Sequence, residues 1–341
     1  MRKLIKALPI LFLLFTAVSV QAVENPKVIR LGSPGNGVGL PVKEIMNVIV
    51  QKGLWDEEFH KDGISLDLSL IKTAGPGCNE GFAAGLFDFG KWGDFPFVVA
   101  KAAGVKSKLI LSCDIGNNIY IQVPTNSKIT SLNDLKGKRV GLGVGTITQY
   151  TFANLLLTHG LSEKDIHLIN ISGSDGQAAL ITNGLDALVS TQDRPLVTQG
   201  LAKVIYDTRL DPIEIKGSNG LIVSEAFANK YPELTKRVVK VFIRAAYWAS
   251  QPKNRAELIK IQLKSGDKYQ FIKDDYLAQD VKERLNPRLT PTTVNQYRHL
   301  VDFSLKYKYI RKAFDVDKWV DRSYSEAALK ELGLEKFWPN K

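Results

Sequence analysis

Two cysteines and four histidines are the whole supply of thiol and imidazole in 341 residues. Cys78 and Cys113 stand far apart with no CxxC pair, which excludes a zinc ribbon and a dithiol redox motif. His60, His159, His167 and His299 are scattered, and no His-Glu-x-x-His occurs, so the common zinc-hydrolase arrangement is absent. No Gly-x-Ser-x-Gly marks a serine nucleophile on a strand–helix elbow. Gly141-x-Gly143-x-Gly145 invites a dinucleotide reading, but the third glycine of that fingerprint would fall on Thr146, and the pattern fails. No cofactor and no metal are expected. No arginine-rich run accompanies the formal charge of +11, and both signs are interspersed, so nucleic acid is not an expected partner. Beyond residue 22 no apolar run is long enough to span a bilayer.

What is present begins with a leader. Arg2, Lys3 and Lys6 precede an apolar run from Ile10 to Val18, and Val20-Gln21-Ala22 has the small or modest residues of a cleavage site. A secretory signal peptide over residues 1–22, cleaved after Ala22, and a periplasmic mature protein are the expectation. The leader holds three of the 46 Lys and Arg and none of the 35 acids, so the mature chain keeps 43 bases against 35 acids, a net +8. That balance suits a small anion. In an oxidising compartment Cys78 and Cys113 either bridge or remain two unrelated thiols, and the second is the expectation.

The stretch from Ile64 to Gly104 organises the rest. Ser65 to Lys72 alternates like a half-buried strand, and Thr73-Ala74-Gly75-Pro76-Gly77 stops it. Asn79 to Ala84 reads as a helical turn, Leu86 to Phe89 as a buried strand, and Phe95 to Ala103 as a helix entered through Gly93 and Asp94. Earlier, a strand over Val28 to Ser33 leads into Pro34-Gly35-Asn36-Gly37-Val38-Gly39, and Pro41 opens a helix through Val50. Later, Arg139 to Val144, His167 to Ile171 and Ala187 to Ser190 read as strands. Each runs through a short corner into a helix: Ile147 to His159, Gly176 to Asn183 and Pro195 to Gly200. Tyr120 to Val123 and Leu221 to Val223 add strands, and the tail beyond Glu225 is helical. Repeated strand–corner–helix units predict parallel sheets with their loops, and a ligand, along one edge.

Those corners carry neutral donors: Ser33 and Asn36, Thr73, Thr146, Thr148 and Gln149, Ser172 and Ser174, and Thr191 and Gln192. Hydroxyl and backbone N–H groups suit an oxyanion whose charge is spread over several oxygens. Each Ser or Thr taken singly also reads as an ordinary helix cap. Trp92, Phe95 and Tyr150 lie beside the corners and either line an apolar slot or pack a core. Asp94 and Asp193 would repel an anion unless each caps a helix or meets a ligand ammonium. Arg194 either pairs with the anion or with Asp193.

The residues Gly75-Pro76, Glu80, Gly85, Asp88-Phe89-Gly90, Gly93-Asp94, Pro96 and Ala102-Ala103-Gly104 resemble the periplasmic substrate-binding proteins of ABC importers for aliphatic sulfonates, taurine and nitrate. Ser131-Leu132, Asp134 to Lys138, Val140-Gly141 and Gly145-Thr146 extend the resemblance, as do Val223-Ser224, Pro232-Glu233-Leu234, Ala245-Ala246 and Trp248. Arg194 interrupts the Asp-Pro pair that the family carries near its last corner. The resemblance implies an α/β, two-lobed type II binding protein, each lobe a parallel-dominated sheet flanked by helices, with two crossings between lobes. The expected division is residues 23–117 and 218–341 in the first lobe and 118–217 in the second. It implies a non-catalytic, monomeric carrier of a small organic anion, foremost an alkane- or arylsulfonate, delivered to an inner-membrane permease. Taurine, nitrate or a pyrimidine precursor is the alternative ligand. An enzyme on the same scaffold, like the pyrimidine synthases that consume their own histidine, is the alternative class, and a sensory or adhesion protein a third. The residues implied at the ligand are Ser33, Asn36, Gly37, Thr73, Gly75, Pro76, Gly93, Asp94, Thr146, Thr148, Gln149, Ser172, Ser174, Thr191 and Asp193.

Overall fold

Alternating side chains along the strands build two separate sheets. The computed structural model describes residues 24–35, 44–191, 195–210, 217–266, 268–278 and 280–340. The leader, Asn36, Gly37 and the Gln192-Asp193-Arg194 corner lie outside those residues. The first sheet takes β1 (Val28–Pro34), β2 (Ser65–Ile71), β3 (Phe89–Gly93), β4 (Ser107–Asn117) and β10 (Gly217–Ser224). Its order is β2-β1-β3-β10-β4. The second takes β5 (Tyr120–Pro124), β6 (Arg139–Leu142), β7 (His167–Asn170), β8 (Ala187–Ser190) and β9 (Ala202–Asp207), in the order β7-β6-β8-β5-β9. In both sheets the first three strands run parallel, and the remaining pairings are antiparallel, so one strand, β10 or β5, opposes the other four. The parallel-dominated character is therefore one of strand direction. β4 leaves the first sheet at Asn117 and β5 enters the second at Tyr120, while β10 returns to the first from Gly217.

Period-two burial assigns the faces. In β10, Leu221 and Val223 enter one core with Ile29, Leu31, Phe89 and Phe242, whereas Ile222 points to the opposite face with Phe82, Trp92, Phe97 and Trp319. The 18-residue helix Pro232–Ala249 covers the first of these faces, its apolar stripe running through Leu234, Val238, Val241 and Ala245. In the second sheet Val140, Leu142 and Val189 face one core and Leu188 the other. Cys78 and Cys113 are free, buried thiols on opposite faces of the first sheet. Among the described residues no helix is long and apolar enough to cross a membrane.

Several boundaries differ from the sequence expectation, for local reasons. The strand expected over Leu86 to Phe89 is β3, starting at Phe89, and Leu86 is 59% exposed. Asp88 is held before the strand, because its carboxylate accepts the Arg30 N–H at 2.9 Å and its guanidinium at 2.7 Å. The turn expected over Asn79 to Ala84 is the end of a helix running Ala74–Ala83. Gly75 and Pro76 sit in its first turn, where a missing N–H costs little. The helix expected from Gly176 starts at Gly173, whose φ of 59° suits glycine. The strand β9 was not anticipated; it pairs with β5 at the edge of its sheet.

Candidate functional site

The corners after β2 and β3 of the first sheet meet the corner after β6 of the second across the boundary between the lobes. In the second lobe β6 ends at Leu142, and Gly143-Val144-Gly145 turns into the helix Ile147–Thr158, with Thr146 as its N-cap. Gly145 takes a φ of 76°, a left-handed conformation that favours glycine. Thr146 Oγ1 donates to the Gly143 carbonyl at 2.7 Å, which closes the corner. A carbon added at Gly143 would stand 3.5 Å from both Thr146 Oγ1 and Ser172 Oγ, so the corners after β6 and β7 bring two hydroxyls together. The first N–H groups of a helix have no acceptor within it, and here they add donors beside those hydroxyls.

The first lobe presents Gly75-Pro76 and Gly93-Asp94. A carbon on Gly145 would lie 2.9 Å from Pro76 Cγ, one on Gly75 would lie 3.6 Å from the Gly145 carbonyl oxygen, and one on Gly93 would meet Ile147 Cγ2 at 2.0 Å. The lobes therefore approach each other at glycines, Gly75 against the Gly145 carbonyl, and Gly145 and Gly93 against the Pro76 and Ile147 side chains. Tyr150, from the second-lobe helix, stacks on Phe95 at 5.9 Å and meets Phe303 edge-on at 5.1 Å.

The expected site residues divide into groups. Thr146 and Ser172 both flank Gly143, and the chain neighbours of Thr146, Gly145 and Ile147, meet Gly75, Pro76 and Gly93. Ser33 is buried at the end of β1, Thr148 and Thr191 are half-buried at their corners, and Ser174 is exposed in the first turn of its helix. Thr73 is turned onto its own helix, its Oγ1 1.9 Å from where a Gly77 side chain would begin. Gln149 is buried and engaged within the protein: its Oε1 accepts the Gly145 N–H at 2.7 Å and its Nε2 donates to Glu163 Oε1 at 3.0 Å. Asn36, Gly37 and Asp193 are outside the described residues. Trp92 and Phe95 are core residues, Trp92 donating to Asn79 Oδ1 at 3.1 Å.

Asp94 does not confront the cleft as a bare charge. Its carboxylate accepts the Phe95 N–H at 2.7 Å and the Ser218 N–H of β10 at 2.8 Å. Burial pushes this carboxyl up to about 7, against the pull of the Ser218 and Phe95 N–H groups. A carboxyl with a higher pKa folded than unfolded takes up a proton on folding, so its contribution to stability falls as pH rises between about 4 and about 7. The parent should thus lose unfolding free energy across that window relative to Asp94→Asn in urea titrations; parallel pH profiles would contradict this. Beside the Asp94–Ser218 contact, a cavity of about 290 Å³ opens toward Thr293, Tyr297 and His299 of the helix Pro291–Lys306.

Sequence reasoning did not find Ile147, Glu163, Ser218 or Tyr309. Each acts through a partner distant in the chain, and no local motif marks it. Among the described residues no group of three or more His, Cys, Asp or Glu is placed to hold a metal ion.

A family model described as NMT1/THI5 like matches residues 59–255, more than half of the chain and nearly all of these corners. The chain belongs to the NMT1/THI5-like family. Within reach of that family, a Bacillus subtilis protein named for binding aliphatic sulfonates is 27% identical over 285 residues, 82% of this chain and 83% of its own length. A solved structure from Methylobacillus flagellatus bears the name of a periplasmic sulfonate-binding protein of a sulfonate ABC transporter. It shares 30% identity, with a TM-score of 0.78 over 94% of this chain and 98% of its own. A desulfurization enzyme shares the fold alone, at 18% identity and a TM-score of 0.68 over 89% of this chain and 99% of its own. The two mixed sheets flanked by helices are the periplasmic binding protein architecture.

Proposed function

We propose that this NMT1/THI5-like protein is the solute-binding component of an ABC importer and closes its two lobes on a small organic sulfonate. The observation that carries the reading is the Gly143–Thr146 corner, a helix N-terminus with the Ser172 hydroxyl beside it, whose Gly145 meets Gly75-Pro76 across the cleft. A sulfonate offers three acceptor oxygens and one delocalised charge, which match neutral donors better than a lysine would. The names of the relatives point to the same ligand class. On this reading residues 23–117 and 218–341 form one lobe and 118–217 the other, and the chain crosses between them at Asn117-Asn118 and at Gly217-Ser218, the start of β10. Export with cleavage after Ala22, a monomeric state and delivery to a membrane permease belong to the same proposal.

Binding without reaction is favoured over catalysis on the shared scaffold. Burial pushes the Cys78 and Cys113 thiols up to about 12, which makes both poor nucleophiles at neutral pH. A thermal-shift screen across alkane- and arylsulfonates, taurine, nitrate and pyrimidine precursors tests the ligand class, since a ligand of the folded state raises its stability with concentration. At least one sulfonate should shift the transition, and a response confined to a pyrimidine precursor would overturn the reading. With the best sulfonate, Thr146→Ala should weaken binding by about tenfold. The substitution removes the hydroxyl that donates to the Gly143 carbonyl, so the corner that presents the helix N–H groups loses a bond worth roughly 1.5 kcal/mol. Calorimetry on the two proteins reads this directly.

A further inference from the structure

Three hydrogen bonds run in series from the C-terminal tail of the first lobe to the anion corner of the second. Tyr309 Oη donates to Glu163 Oε2 at 2.6 Å, Gln149 Nε2 donates to Glu163 Oε1 at 3.0 Å, and the Gly145 N–H donates to Gln149 Oε1 at 2.7 Å. The bonds converge on Glu163, with Gly145 donating to Gln149 while Gln149 and Tyr309 each donate to the carboxylate. Glu163 can only accept, and the Gly145 N–H can only donate, so the Gln149 amide between them has a single orientation that satisfies both. The carboxylate strengthens both bonds it accepts, and an amide polarised at its NH2 end is a better acceptor at its oxygen. Glu163 is itself held in a tight turn, because Asp165 Oδ2 accepts the Ser162 N–H at 2.8 Å and its hydroxyl at 2.9 Å. Tyr309 is held by aromatic contacts with Phe95 at 5.2 Å and Phe303 at 5.9 Å.

We propose that Glu163 is a positioning residue for the ligand corner and that Tyr309 latches the closed lobes through it. Gly145 occupies a left-handed conformation beside Thr146, and the Gln149 oxygen takes its N–H out of the set of donors facing the cleft. The corner is thus shaped by a carboxylate that never touches the ligand. Closing the lobes delivers the Tyr309 hydroxyl to that carboxylate, which tightens the hold on Gly145 when a ligand is enclosed. The effect on a sulfonate rests on the function proposed above, whereas the relay itself does not.

Two measurements on the full mature chain separate these. The first is hydrogen exchange of the Gly145 amide. Glu163→Ala should speed it by about five- to tenfold without ligand, and Tyr309→Phe should do the same once saturating sulfonate closes the lobes, as expected for losing one link that protects it. The double variant should be no faster than Glu163→Ala alone, because Tyr309 acts only through Glu163. Tyr309→Phe keeps the ring and its aromatic contacts, so a role in packing alone would leave the Gly145 exchange unmoved. An unmoved rate, or a double variant with additive effects, overturns the relay. The second measurement is the dissociation rate of the best sulfonate by stopped flow. Tyr309→Phe should raise it by about tenfold while association changes by less than about twofold, as for a contact made only after closure. A change confined to association overturns the latch. If the parent binds no sulfonate, the function reading falls, and the exchange experiment still decides the relay.

Discussion

Gly93→Val should weaken ligand binding more than a hundredfold and leave the unfolding transition nearly where it is. Gly93 caps the helix Asp94–Ala102 with φ −72° and ψ 155°, an extended conformation open to any residue. Valine is therefore not strained by the backbone there. The obstacle lies across the cleft, where its first side-chain carbon would stand 2.0 Å from Ile147 Cγ2. Ile147 belongs to the second lobe, so the overlap is relieved most cheaply by parting the lobes. Overpacking by small groups costs about 1–3 kcal/mol, and valine brings three carbons to this contact. A closed state raised by about 3 kcal/mol loses more than a hundredfold in affinity. Solution scattering with saturating sulfonate should show contraction in the parent and none in the variant. Ile147→Ala in the same chain should recover part of the binding by removing the opposing methyl. Parent-like affinity in Gly93→Val would mean that the lobes do not close through this contact.

The corners were legible because each is a local event. A strand alternates, a glycine or proline stops it, and a helix begins, all within about a dozen residues. That suffices to place Gly75-Pro76, Gly93-Asp94 and Gly145-Thr146 at sheet edges. Which strands neighbour one another is not local, and β9 escaped notice because Ala202–Asp207 is an edge segment with Lys203 and Asp207 in it. Asp94 shows the same limit in the site. Beside an anion it looks repulsive, yet its carboxylate is occupied by the N–H of Ser218, 124 positions away. Glu163 and Tyr309 are 146 positions apart, and nothing near either residue foretells the bond. Gln149 was expected at the ligand because it stands in the first turn after Thr146. That same turn lets it reach back to Gly145, as a capping side chain does.

Stability of the first lobe should depend heavily on charges no ligand meets. Asp114→Ala should lower the unfolding free energy by about 3–5 kcal/mol, the range for removing one member of a buried ion pair. Asp114 is fully buried in β4, three positions before the strand ends at Asn117, and Arg284 is 3% exposed. The guanidinium grips the carboxylate with two bonds, Nε to Oδ1 at 2.9 Å and Nη2 to Oδ2 at 3.1 Å. A second buried pair adjoins it, with Lys91 Nζ 2.5 Å from Glu44 Oε2. Burial disfavours the Lys91 ammonium most, but Glu44, Cys113 and Asp114 together outweigh it, and the net direction is up. These pairs sit beneath the corners: Lys91 is two positions before Gly93, and Glu44 opens the helix Glu44–Gln51 with a φ of 57°. Without the Asp114 carboxylate, the Arg284 charge keeps its cost of burial and loses its strongest compensation. Replacing both members, as Asp114→Leu with Arg284→Met, removes that cost and should return stability to within about 1–2 kcal/mol of the parent. Urea titrations of the three proteins decide the matter. A double variant as unstable as Asp114→Ala would show that the pair supports the lobe by shape rather than by the balance of its charges.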